Sequence, residues 1–178
     1  MIYLVSICSQ RLHEREFVSP ICEIVRGAGF EFEVLRSGDD FGRICEKDSV
    51  IICGTGILDD LFLKESDRFS WIRDSGARVL GICGGMHLIG VLFGARVKEK
   101  TEIGFFREFF EKEFLGLKGE REVYHLHRLY ADFSSLGCFE RFTRGEVVQA
   151  VKHRELEIYG ILFHPEVRCK EVVLNFLR

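Results

Sequence analysis

The sequence predicts an α/β fold in a single domain, residues 1–178, with a mostly parallel central sheet flanked by helices on both faces. Short apolar runs at Ile2–Ile7, Val50–Cys53 and Arg78–Ile82 alternate with stretches of helical spacing. Continuous apolar runs are typical of parallel strands that are buried on both faces. The length of 178 residues suits one domain with a full core, and no repeat, linker or low-complexity segment divides the chain.

The first half of the chain predicts the order strand, helix, strand, strand, helix, strand, helix. Glu14–Gly29 has helical character, and Pro20 predicts that this helix starts late or kinks. Glu31–Leu35 alternates polar and apolar residues, as expected for a strand near the edge of the sheet. Phe62–Asp74 predicts a helix between the second and third apolar runs, and apolar residues recur at helical spacing from Gly84 onward.

The second half has a different character. Phe105–Phe114 is rich in phenylalanine and glutamate, which indicates either core or a surface that faces a partner. Glu122–Tyr130, Glu146–Lys152 and Glu157–Phe163 predict strands joined by short polar turns. A last helix is predicted over Glu166–Leu177.

Composition narrows the classes of function. The formal net charge is -3, and the two signs of charge are interspersed, so we expect no nucleic-acid partner. We expect no membrane partner and no signal peptide, because no apolar run is long enough for either, and we expect a cytoplasmic protein. Seven cysteines without a CxxC pair fit neither a disulfide framework nor a cysteine zinc site.

A possible nucleophile follows the third apolar run. The segment Gly81-Ile82-Cys83-Gly84-Gly85 places Gly-x-Cys-x-Gly between a buried strand and a helix, which is the pattern of a nucleophile elbow. Glycines two before and two after the nucleophile relieve crowding in such a tight turn. The start of the next helix favours a thiolate, and the N–H of Gly84 can face a developing oxyanion. The alternative is that Cys83 is a buried structural cysteine.

A possible base ends another apolar strand. Ile158–Phe163 leads directly into His164-Pro165-Glu166, where the rigid proline separates two polar residues. An i, i+2 pair can direct both side chains the same way, so Glu166 can orient the His164 imidazole for a thiol nucleophile. The alternative is an ordinary strand-end histidine followed by a helix start, where proline is common.

On these motifs the chain resembles the class I (triad) glutamine amidotransferases. The similarity rests on LGICGGMHLIG (Leu80–Gly90), on YGILFHPEV (Tyr159–Val167) and on the end of the last helix, Leu174-Asn175-Phe176. The stretch KHRELEIYGILFHPEV (Lys152–Val167) is most similar to the separate glutaminase subunit of GMP synthetase. The resemblance implies a class I glutamine amidotransferase-like, flavodoxin-like fold with a cysteine nucleophile elbow.

The resemblance also implies a reaction. Cys83 would attack the side-chain amide of L-glutamine, His164 would move the proton, and Glu166 would orient His164. A γ-glutamyl thioester would form and be hydrolysed, and the ammonia would pass to a synthase on a separate chain. The best candidate for that partner is a GMP synthetase subunit of the ATP-pyrophosphatase type. No cofactor is expected for this reaction.

Oxyanion and substrate-binding positions are carried over from the family motifs, and several depart from them. The family usually has glutamine at the position of His87, and a glycine and a proline at the positions of Thr55 and Gly56. The Ser-His-Gly-Asp-like segment of GMP synthetase glutaminases keeps its histidine here as His127 but loses its aspartate. The full expected set is Gly54, Thr55, Gly56, Gly84, Met86, His87 and His127.

Two other functions stay open at this stage. The departures at His87 and Thr55 favour a γ-glutamyl peptidase or hydrolase on the same scaffold. A non-catalytic regulatory relative would also keep the fold. We expect no metal: His125 and His127 share one face of a strand, but the sequence offers no convincing third ligand.

Overall fold

The computed structural model describes all 178 residues. Short 3₁₀ turns lie at Ser66–Phe69 and Phe133–Ser135. The helices are α1 (Arg11–Phe17), α2 (Ser19–Gly27), α3 (Leu61–Lys64), α4 (Trp71–Asp74), α5 (Gly84–Leu92) and α6 (Glu171–Phe176). The strands are β1 (Ile2–Ser6), β2 (Glu33–Arg36), β3 (Ser49–Ile52), β4 (Arg78–Ile82), β5 (Arg96–Phe114), β6 (Leu117–Asp132), β7 (Phe139–Arg141), β8 (Ala150–His153) and β9 (Ile158–Ile161).

Seven strands form the central sheet in the order β2-β1-β3-β4-β9-β8-β7. The first five are mutually parallel, and β8 and β7 are added antiparallel at one edge. The parallel part has the 2-1-3-4-5 order of flavodoxin-like doubly wound sheets. The predicted fold class, an α/β fold with a mostly parallel sheet, is therefore confirmed.

Helices cover both faces of this sheet because successive strand residues point to opposite sides. Leu4 of β1 packs in one cluster with buried residues of α2 and α6. The next residue, Val5, packs in the other cluster with α5 and with the segment that holds α3 and α4. The longest helices, α2 and α5, have nine residues each, and no helix combines the length and apolar character needed to cross a membrane.

The structure refines the predicted helices. The first helical region begins earlier, at Arg11, and divides into two helices at Val18. Pro20 therefore lies in the first turn of α2, where the N–H group that proline lacks would have no partner within the helix. Phe62–Asp74 forms two short helices separated by a 3₁₀ turn instead of one helix. The last helix begins five residues later than predicted, at Glu171, because Cys169 has a φ of 77° that no α-helix accommodates.

Strands β5 and β6 form a separate two-stranded antiparallel ribbon of 19 and 16 residues. Because successive side chains of a strand point to opposite faces, the phenylalanines of β5 divide between the core and the surface. Phe110 and Phe114 face inward and are 1% and 2% exposed, whereas Phe105 and Phe109 face outward and are 55% and 42% exposed. The Phe-rich stretch therefore supplies both core and surface.

The remaining strands are shorter than the sequence indicated or were not predicted. Of Glu146–Lys152, only the end forms a strand, as the start of β8 (Ala150–His153). β7 (Phe139–Arg141), at the edge of the sheet, has no counterpart in the sequence analysis. Its three residues are too few to show a period in the sequence.

Candidate active site

Cys83 occupies the sharp turn between β4 and α5. Its backbone has φ 49° and ψ -102°, a conformation that L-residues rarely adopt and that is typical of strained functional turns. The flanking glycines make this turn possible. A Cβ atom on Gly81 would lie 2.5 Å from the backbone of Gly85, and one on Gly85 would lie 2.5 Å from the carbonyl oxygen of Ile52. No other residue type fits at either position.

His164 and Glu166 meet just after the end of β9. The Nδ1 atom of His164 lies 2.7 Å from Oε1 of Glu166, and both side chains are almost fully buried. The backbone N–H of His164 donates to the Tyr124 carbonyl of the ribbon at 2.9 Å. Gly54 completes this support, because a Cβ atom there would lie 2.9 Å from Cε1 of the His164 ring. The imidazole is therefore held between the carboxylate, the ribbon and the β3 loop.

The electrostatics of His164 connect it to Cys83. Burial alone lowers the pKa of His164, but the charges of Cys83 and Glu166 outweigh it and hold that pKa well above its ordinary value. The Nε2 atom of His164 is buried and has no hydrogen-bond partner, while the Cys83 thiol donates to the Leu126 carbonyl at 3.6 Å. The site therefore favours a protonated His164 beside the Cys83 sulfur, an arrangement that can activate a thiol.

A pocket opens on Cys83 at the carboxyl ends of β3 and β4, where open α/β sheets bind ligands. An ion pair lies in its lining: Nη2 of Arg128 contacts Oδ2 of Asp60 at 2.6 Å. The sequence analysis did not find these two residues, although Arg128 directly follows His127. Of the expected positions, the pocket brings together Thr55, Gly56, Cys83, Gly84, His87 and His127.

The loop after β3 accommodates its unusual threonine without strain. Thr55 does not belong to the residues with positive φ, and its hydroxyl donates to Oδ2 of Asp59 at 2.7 Å. Oδ2 of Asp59 also lies 3.6 Å from Nδ1 of His13. Gly56 packs against the His13 ring so closely that a Cβ atom would lie 2.7 Å from it. Asp59, which itself lines the pocket, and His13, which lies outside it, therefore brace the loop.

His87 is a pocket residue with an unpartnered polar atom. The ring is 5% exposed, and its Nε2 atom has no hydrogen-bond partner. Burial lowers the pKa of His87 to about 3, with a smaller contribution from His127, so the ring is neutral near pH 7. A buried nitrogen in this position is available to a ligand.

Two expected positions do not line the pocket. The side chain of Met86 is 1% exposed and packs under the sheet, where a Cβ atom on Gly160 would lie 2.9 Å from its Cγ. The Met86 side chain does not reach the pocket because α5 turns it into the core, and the oxyanion or substrate-binding role expected at this position stays a prediction. Gly54 contacts His164 instead of the pocket.

The pair His125 and His127 lies under the ribbon with a carboxylate that the sequence did not reveal. Oε2 of Glu102 is 3.1 Å from Nδ1 of His125 and 3.1 Å from Nε2 of His127. Burial lowers the pKa of His125 to about 4, against the opposing effect of Glu102. Burial and the charge of Glu102 together raise the pKa of the neighbouring Glu108 to about 7.

Comparisons with known proteins identify the family of this chain. The family model described as "Glutamine amidotransferase class-I" matches residues 13–178. A glutamine-hydrolyzing GMP synthase of Acetivibrio thermocellus is 30% identical over 173 residues, which cover 88% of this chain and 33% of that protein. A glutamine-hydrolyzing GMP synthase subunit of Pyrococcus abyssi is 36% identical over 110 residues, 56% of each chain. The chain thus spans one third to just over half of these relatives.

Solved structures share the fold. A putative GMP synthase subunit from Thermoplasma acidophilum superposes with a TM-score of 0.83 at 21% identity, over 99% of this chain and 92% of that one. A glutamine amidotransferase from Thermotoga maritima gives 0.69 at 22% identity, over 96% of this chain and 78% of that one. Because both sequence identities are low, these superpositions show that the architecture is shared and nothing more.

Proposed function

Because this chain belongs to the class-I glutamine amidotransferase family, we propose that it hydrolyses L-glutamine to glutamate and ammonia through Cys83, His164 and Glu166. The observation that carries the proposal is the buried His164–Glu166 pair at 2.7 Å, next to a cysteine in a strained elbow. Folding requires neither this carboxylate–imidazole pair nor the positive φ of Cys83. Both have a cost in stability that a catalytic role explains.

The reaction follows from these positions. The Cys83 sulfur attacks the amide carbon of glutamine while its proton resides on His164. The imidazolium donates this proton to the departing nitrogen, which leaves as ammonia, and a γ-glutamyl thioester remains on Cys83. Water then attacks the thioester, His164 accepts a proton from that water, and glutamate leaves as the thiol is restored. Glu166 keeps the His164 ring oriented through Nδ1 in both steps.

Backbone amides stabilise the charge that develops on the substrate oxygen. The N–H of Gly84 lies in the first turn of α5, where helical N–H groups have no partner within the helix. The loop after β3 reaches the pocket with Thr55 and Gly56 and supplies the second donor. The dipole of α5 adds a favourable field for both the thiolate and the oxyanion.

The charges in the pocket suit an α-amino acid. The head group of glutamine carries one ammonium and one carboxylate, and the pocket presents the complementary pair Asp60 and Arg128. In the absence of substrate the two side chains neutralise each other. A bound glutamine would replace that contact with two ion pairs of its own, which supports glutamine over a simple amide as substrate.

We further propose that the ammonia is delivered to a synthase on a separate chain. Relatives in Pyrococcus abyssi and Methanococcus maripaludis, whose names mark them as subunits of a GMP synthase, motivate this choice. The candidate partner is accordingly a GMP synthetase subunit of the ATP-pyrophosphatase type.

The test is glutamate release from L-glutamine by the purified chain, with and without that candidate subunit. Wild-type turnover is expected, and Cys83→Ala should lower it by at least about 10³-fold. Cys53→Ala is the matched control, since Cys53 is buried at the end of β3 and outside the pocket. Stimulation by the subunit supports the proposed partner. Equal turnover by wild type and Cys83→Ala would overturn the proposed nucleophile.

The presence of His87 where the family has glutamine favours a second candidate, a γ-glutamyl peptidase or hydrolase. A neutral ring in the pocket changes the contacts available to the substrate. Faster turnover of γ-glutamyl peptides than of L-glutamine would support this candidate. Faster turnover of L-glutamine would exclude it, and a chain that hydrolyses neither with any partner would be a non-catalytic relative.

A further inference from the structure

Three side chains that are common metal ligands converge beneath the β5–β6 ribbon. His125 and His127 are two residues apart on β6, so both project to the inner face. Glu102 is the direct cross-strand partner of His127, and Gly104 is that of His125. One donor atom from each of the three side chains lies within 4.8 Å of the other two.

We propose that Glu102, His125 and His127 form a binding site for a zinc ion. Two imidazoles and one carboxylate are an established zinc donor set that leaves one position for water or another ligand. Ligand atoms around tetrahedral zinc lie about 3.4 Å from one another. The separation of 3.1 Å from Oε2 of Glu102 to each histidine nitrogen requires only a small expansion to admit the ion.

The surroundings fit a metal site in three ways. Both imidazoles are buried, and imidazole nitrogen is a common zinc ligand. The second nitrogen of His125 lies 3.5 Å from Oε1 of Glu108, which places a carboxylate behind a ligand as in many zinc proteins. Lys100 lies 3.6 Å from Oε1 of Glu102, whereas Oε2 faces both imidazoles and also accepts a long hydrogen bond from Nε2 of Gln149 at 3.4 Å.

No local pattern in the chain predicts this site, because only two of the ligands stand close together in the sequence. Glu102 is 23 residues from His125 along the chain, and only the register of the ribbon brings them together. The site is also distinct from the proposed triad. His127 lines the Cys83 pocket, so a metal ion would fix one wall of that pocket without using Cys83, His164 or Glu166.

The experiment titrates chelator-treated full-length chain with Co²⁺, a spectroscopic substitute for zinc, and then displaces it with Zn²⁺. We expect the visible absorption of four- or five-coordinate cobalt, saturating at one ion per chain. Glu102→Gln should abolish this absorption, and Glu108→Gln should weaken binding by about tenfold. His153→Gln is the matched control, since His153 is buried against Phe93 and Phe139 and does not belong to the cluster.

Circular dichroism of each variant establishes that it is folded. No cobalt absorption in the wild type, or equal absorption in wild type and folded Glu102→Gln, would overturn the site. A thiolate-to-cobalt charge-transfer band would assign the ion to a cysteine and overturn it as well. The result does not depend on glutamine hydrolysis, so failure of the proposed function leaves this test intact.

Discussion

Single side chains in the pocket and beside it determine the chemical properties of the site. His164 is the clearest case: Glu166 and Cys83 keep its pKa high although burial acts in the opposite direction. His87 is the converse, since its burial has no compensating charge and its pKa is about 3. The groups that face two buried histidines on neighbouring elements thus shift the pKa values of these histidines in opposite directions.

His87 should make the fold sensitive to acid. The unfolded chain protonates His87 below its ordinary pKa of 6.5, whereas the folded chain does so only near 3, so stability falls as pH falls through this window. Between pH 7 and pH 5, His87→Leu should lose about 2 kcal/mol less unfolding free energy than the wild type. Urea unfolding at both pH values measures this. Parallel losses in the two proteins would contradict the buried, neutral state of His87.

Glu166→Gln tests whether the Glu166 carboxylate stabilises the protonated form of His164 in the proposed triad. Without the carboxylate, the His164 imidazolium loses its partner, so less of the thiolate–imidazolium pair forms at neutral pH. Alkylation of Cys83 by iodoacetamide at pH 7 should slow by at least about tenfold, the equivalent of one pKa unit on His164. At high pH, where thiols ionise without help, the two rates should converge. A constant ratio at every pH would mean that Glu166 acts only on access to the sulfur.

At the scale of elements, the alternation of side chains along β5 directs half of its residues toward the interior and the other half toward the surface. β5 directs even-numbered residues such as Glu102, Glu108 and Phe110 inward, and odd-numbered ones such as Phe105 outward. The elbow is a second such element, since its geometry follows from the glycines around Cys83. Both elements are therefore controlled by local sequence once their neighbours are in place.

Two phenylalanines on the same strand should differ widely in their contribution to stability. Phe110 is 1% exposed and packs edge-on against Phe163, so Phe110→Ala should cost about 3–5 kcal/mol. Phe105 is 55% exposed, so Phe105→Ala should cost less than about 1 kcal/mol. Chemical denaturation of both variants measures the difference. Similar losses would show that the ribbon has a different register.

At the scale of the whole molecule, parallel strands bring distant motifs to one edge. β4 and β9 are direct neighbours, with Ile82 paired to Ile161, so Cys83 and His164 emerge side by side although 81 residues separate them. The other cysteines are buried, half-buried or, for Cys45, exposed. None of them lines the pocket on which Cys83 opens.

Covalent labelling should distinguish Cys83 from the other cysteines. A glutamine analogue with a reactive diazoketone in place of its amide should modify Cys83 alone, because only that thiol lies in a pocket with ion-pairing groups. Iodoacetamide, which needs no binding site, should also label Cys45, the one exposed cysteine. Peptide mass spectrometry distinguishes the two patterns. Analogue labelling of Cys45 at the rate of Cys83 would mean that the pocket does not select its ligand.

The sequence alone was enough for the fold class, the family, the elbow and the His164–Glu166 motif. These features rest on local patterns: apolar runs, glycines at fixed offsets, and polar residues that end a strand. The ends of the helices could not be predicted from the sequence, because the break at Val18 and the left-handed conformation of Cys169 depend on packing against other elements.

Only the tertiary structure decided which distant side chains meet. The Arg128–Asp60 pair joins residues 68 positions apart, and Glu102 reaches His125 and His127 through the register of a long ribbon. It also turned Met86 into the core and placed an unpartnered nitrogen of His87 in the pocket. Local spacing determines which face of an element a residue occupies. What that face meets depends on the assembled sheet, because contacts between elements are set by packing and register.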